Sequence, residues 1–173
     1  MSDYQRSTHA CPFDQLRPEL QQAFRDYFNT HDLAGMDETS LVCCETVSHK
    51  KEVAGFFAWL ATFEKADVSV TTAILLGAQA LFWARAGEPY TPAARVIRAN
   101  LQEVRVKMKP SVLAQDSGLE ISGLIEGSKG VMRGTIGLGP EPAAQKFCED
   151  VAQAVEKVNP RPAGKFPSWM GGR

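Results

Sequence analysis

The chain has 173 residues, 44% of them hydrophobic and 23% charged, and a formal net charge of −1. A domain of this length buries roughly 70% of its unfolded surface, so it needs neither disulfides nor metal to fold. The near-neutral balance argues against a surface built as a whole to hold nucleic acid, although a local basic face is compatible with it. The opening residues "MSDYQRSTHACPFDQ" show no basic start followed by an apolar run, so no secretory leader is expected. The longest apolar stretch, "VAGFFAWLATF", falls well short of the roughly 20 residues that cross a bilayer. Cys11, Cys43, Cys44 and Cys148 make neither a C-x-x-C pair nor a disulfide framework, and a reducing cytoplasm is the expected location.

In chain order, residues 1–15 read as a polar arm. Pro18 suits a first helical position, and Leu20, Ala23, Phe24, Tyr27 and Phe28 recur at helical spacing, which predicts a helix over 18–31. The pattern then changes. "LVCCETVS" has strand composition, and "DVSVTTAILLG" and "AQALFWARAG" flank a short turn as a hairpin. In "LQEVRVKMK", Val104, Val106 and Met108 alternate with Glu103, Arg105, Lys107 and Lys109, the mark of a half-buried strand. "GLEISGLIEG" and "GVMRGTIGLG" pair around "GSKG". In "PAAQKFCEDVAQAVEKV", Ala144, Phe147, Cys148, Val151, Val155 and Val158 lie on one helical face. The tail "NPRPAGKFPSWMGGR" is too rich in Pro and Gly for regular structure.

These elements predict an α+β, mainly β, fold. A strongly bent antiparallel sheet or barrel of six to seven strands is capped by a C-terminal helix and preceded by an N-terminal one. The expected division is an arm and helix over 1–37, a barrel with its capping helix over 38–158, and a tail over 159–173. The succession "CCETVSHKK", "TTAILLGAQALFWARAGE", "LQEVRVKMKP", "GLEISGLI" and "GTIGLGPEPAAQKFCEDV" resembles bacterial pleckstrin-homology-like domains over about residues 40–158. The resemblance rests on the order of elements. It implies the barrel and a binding or scaffolding role, brings no catalytic residues with it, and fixes no ligand.

No residue set identifies a reaction. "GTIGLGPEP" places glycines between a strand and a helix, as phosphate sites do. Yet Pro140 and Pro142 remove two backbone donors, and Glu141 sets a negative charge where an anion would sit. Cys43 and Cys44 are adjacent in a strand, so their thiols face opposite ways and cannot grip one ion. No G-x-S-x-G or H-E-x-x-H motif occurs. Neither a metal nor a cofactor is expected.

Two stretches are candidates for binding. Between the presumed first and second strands, Lys50 and Lys51 precede an aromatic run that includes Phe56, Phe57 and Trp59, a partner- or membrane-docking segment if it is exposed. Glu52 and Glu64 interrupt its basic character, which argues against inositol-lipid binding. The second candidate is an anion-binding face of Arg105, Lys107 and Lys109, with Arg95 and Arg98 upstream. No aromatic residue is interleaved there for base stacking, which argues against nucleic acid.

The expected function is a non-enzymatic protein-binding or scaffolding module of the bacterial cytoplasm, with a protein partner and a homo-oligomer both compatible. Exposed apolar surface is expected over 53–63 or around Phe166 and Trp169. The alternatives are a small thiol-dependent protein or enzyme using Cys43 or Cys44, and membrane-surface binding through residues 50–63.

Overall fold

The computed structural model describes residues 4–50, 68–88, 94–109 and 118–160. Seven strands follow one another in a single antiparallel sheet in which each strand pairs with the next: β1 Tyr4–Ala10, β2 Val42–Lys50, β3 Ser69–Leu76, β4 Ala80–Glu88, β5 Ile97–Lys109, β6 Gly118–Ile125 and β7 Val131–Gly137. Helix α1, Pro18–Thr30, lies between β1 and β2, and α2, Pro142–Val158, follows β7. The sheet curls into a half-barrel. The expected mainly-β fold with one helix before the sheet's core and one after it is therefore present, and α2 has the bounds that its apolar spacing predicts.

Strand alternation sends successive side chains to opposite faces. Where both faces are covered, residues 73–76 of β3 and 80–84 of β4 read as unbroken apolar runs. On the concave face Cys44, Ile74, Leu81, Leu101, Leu119 and Ile136 pack with Phe147, Cys148 and Val151 of α2. On the convex face Cys43, Leu75 and Phe82 pack with Leu20, Phe24 and Phe28 of α1. Phe28 meets Phe82 edge-on at 5.2 Å between ring centroids. The start of α1 is tied down by the buried carboxylate of Glu45 on β2, which accepts the Arg17 backbone N–H at 3.0 Å.

In β5 the pairing with β6 slips between Ala99 and Val104, a bulge of the kind that bends a strand. Gly123 sits opposite this bulge with φ of 149°, and a Cβ there would lie 2.7 Å from Val104 Cα. Only glycine fits that approach.

Residues 4–10, expected to belong to a polar arm, form edge strand β1 instead. Their pairing with β2 runs from Tyr4 opposite Lys50 to Ala10 opposite Cys44. The strand is stitched to the start of α2 as well. Thr8 N–H donates to Glu141 Oε2 at 2.9 Å, Thr8 Oγ1 accepts from Gly139 N at 2.7 Å, and Thr8 and Thr46 share a hydroxyl contact at 2.7 Å. The turn "GLGPEP" thus works as a latch. Glu141 turns back on β1, and the absence of a side chain on Gly139 leaves room for its carboxylate.

Candidate ligand-binding cleft

Helix α2 covers the concave face from β1 and β2 to β5 and β6, and a cleft opens on that face beyond it, between β4, the start of β5 and the β6–β7 hairpin. Its volume is about 480 Å³, inside the range of roughly 300–1,000 Å³ common for small-molecule sites. Trp83, Ile97, Ile121 and Ile125 form an apolar floor. Register explains their convergence: Trp83 pairs with Ile97 and Val106 with Ile121, so all these side chains take the concave side.

Charge enters at the rim. Arg85 lies two residues beyond Trp83 on β4, and Arg95 two residues before Ile97; both are exposed and border the cleft. The β4–β5 ladder ends at Trp83 opposite Ile97, so the next step along it brings the two arginines to the same rim. Arg133 borders the cleft too, but its guanidinium bonds Glu120 Oε1 at 2.8 Å. Glu126 is engaged by the Tyr27 hydroxyl and, at 3.3 Å, by His31 Nε2. The Tyr27 hydroxyl is pushed up to about 12 by burial and by this contact with Glu126. Past Ile97 and Gly127 the cleft continues into a second hollow of about 420 Å³ against the end of α1.

Among the described residues singled out in the sequence, Arg95 is the one that lines this cleft. Lys50 is the last residue of β2, while Lys51, Phe56, Phe57 and Trp59 lie outside the described residues. So do Phe166 and Trp169. Arg105 and Lys107 project from the other side of β5 and are exposed, opposite Ser122 and Glu120 respectively, and Lys109 stands in register with Gly118. Of the two upstream arginines, Arg95 reaches the rim, whereas Arg98 lies beside the Tyr27 side chain. Sequence reasoning passed over Arg85. Its signal was a lone charge in the apolar run "ALFWARA", on the same parity as the buried Leu81 and Trp83.

The cysteines are held away from chemistry. Cys44 packs beneath α2 and Cys43 beneath α1, on opposite faces as adjacent strand residues must be. Burial pushes the Cys43 thiol up to about 12 and Cys148 to about 11, and raises Cys44 as well. Among the described residues no three His, Cys, Asp or Glu side chains converge as metal ligands, and no helix is long and apolar enough to cross a membrane. Comparison with protein-family models, curated proteins and solved structures finds no match.

Proposed function

We propose that this chain is a non-enzymatic binding module of the bacterial cytoplasm, built on a pleckstrin-homology-like barrel, with the cleft as its recognition surface. One observation carries the reading: an apolar floor lies beneath two arginines, Arg85 and Arg95, that have no ion pair or hydrogen bond among the described residues. A pocket of drug-like size with few polar groups aimed at it is the usual form of a ligand site. A thiol-dependent reaction needs an accessible thiolate, and the burial of Cys43 and Cys44 disfavours one. The order of strands and the closing helix support the barrel assignment. A protein partner docking through residues 50–63 remains a separate proposal that draws nothing from the cleft.

The test uses a plug. Gly134 faces the cleft, and a Cβ added there meets nothing within 4 Å. Gly134→Phe should fill the cleft without disturbing the core. In a thermal-shift screen of chemically mixed small molecules and short peptides, the stabilising compounds should act on the parent chain and lose their effect on Gly134→Phe. Compounds that stabilise both chains equally would place recognition elsewhere, and turnover of a bound compound would make the protein an enzyme.

A further inference from the structure

Resting on that reading, we infer that the cleft takes a small apolar monocarboxylate, its hydrocarbon body on the Trp83–Ile97–Ile121 floor and its carboxylate between Arg85 and Arg95. The two guanidiniums stand at the same rim because the β4–β5 ladder ends one step below them. Both guanidiniums border the same cleft, and an anion held there offsets their like charge while accepting charge-assisted hydrogen bonds. The other charged groups at the rim are already committed: Arg133 to Glu120, and Glu126 to Tyr27 and His31.

That set also selects the head group. Two arginines with no ion pair among the described residues, beside one carboxylate, leave a net charge of about +1 at the rim, which balances a monoanion and is outweighed by a dianionic phosphate. The floor decides the rest of the molecule. Its Trp83, Ile97, Ile121 and Ile125 surface is aliphatic and indole, with Ser128 and Thr135 elsewhere in the lining, so a charged body laid on it would lose hydration without gaining a partner there. The cleft volume of about 480 Å³ admits a medium-length alkyl chain or a single-ring aromatic acid.

Isothermal titration of the full chain with decanoate, held below its aggregation concentration, tests the assignment. Decanol, decyltrimethylammonium and decyl phosphate serve as counter-probes of matched chain length. Decanoate should bind, and decanol should bind at least about tenfold more weakly, since each charge-assisted hydrogen bond is worth roughly that factor. The ammonium should not bind, and the phosphate should bind no tighter than the carboxylate. Arg85→Gln and Arg95→Gln should each weaken decanoate by about tenfold while leaving the melting midpoint unchanged, because both side chains are exposed. Arg85→Lys should recover part of the loss, and Gly134→Phe should abolish binding.

Equal affinity for decanol, or arginine variants that bind like the parent, would show an occupied cleft that does not select anions. A tighter phosphate would overturn the choice of head group, and silence from all four probes would overturn the inference outright. In each of these cases compounds found with the Gly134→Phe screen would still sustain the binding-module reading, so the two can fail separately.

Discussion

The concave face of the sheet has two ends built from the same strands, and they serve opposite purposes. On β4, Leu81 is fully buried beneath α2, whereas Arg85, four residues on and on the same face, is exposed at the cleft. On β7, Ile136 is 3% exposed, while Gly134 on the same side is open. Alternation alone would send all four inward. Whether such a position becomes core or binding surface depends on what lies over it: at one end an amphipathic helix latched by Glu141, and at the other no element among the described residues. Stability is thereby concentrated at the closed end, and the open end is free to carry charge.

The largest effect that can break this contrast is chemical. Burial raises the Cys43 thiol to about 12, above the ordinary 9.0, which leaves less thiolate near pH 8 and slows alkylation. Iodoacetamide should therefore label Cys43 and Cys44 in the native chain far more slowly than in urea. Half-buried Cys11 should react first. The sign for stability follows from the same shift. The folded state holds the thiol proton more tightly, so the stabilisation is intact below pH 9 and is lost as pH rises toward 12. Labelling at the unfolded rate would mean that the two helices do not close the faces they cover.

Next in size are truncations of the core. Phe147 is 2% exposed under α2, and Phe147→Ala should destabilise by about 3–5 kcal/mol in urea titration. Phe24→Ala, beneath α1 on the convex face, belongs in the same range of about 3–5 kcal/mol. A much smaller loss at Phe147 would say that α2 rests loosely on the sheet. The latch is worth less. Glu141→Ala strands the Thr8 N–H, which should cost about 1–3 kcal/mol. Glu141→Gln keeps an acceptor and should cost less than Glu141→Ala. Equal losses would show that the negative charge of Glu141, and not its hydrogen bond, holds β1 to α2.

How far the sequence foretold this layout depended on whether apolar spacing carried the information. α2 was legible end to end because six apolar residues mark one face, and the β3–β4 hairpin because two apolar runs flank a turn. β1 was illegible for the converse reason. In "YQRSTHA" only Thr8 is buried, and the strand is held by backbone pairing and by hydroxyls, which leave no hydrophobic period. The cleft was hidden in another way. Its two arginines are ten residues apart in sequence and meet only through the β4–β5 register, which composition does not encode. The basic alternation of Arg105, Lys107 and Lys109 was conspicuous, yet register sets Glu120 across from Lys107 and Arg133 bonds that same carboxylate, so the face is of mixed charge.

The smallest expected effect sharpens the comparison most. Arg85→Gln should change unfolding free energy by no more than about 0.5 kcal/mol, as exposed positions without a structural partner do. Leu81→Ala, on the same strand and the same face, should lose about 2–5 kcal/mol. The pair asks whether four residues of strand suffice to pass from stability to recognition. If Arg85→Gln proved strongly destabilising, its guanidinium would be holding the half-barrel together, and the rim would be a structural seam. If it proved mildly stabilising, relief of repulsion from Arg95 would be the cause, and raised salt should erase the gain because exposed charges are screened within about 10 Å at 0.1 M.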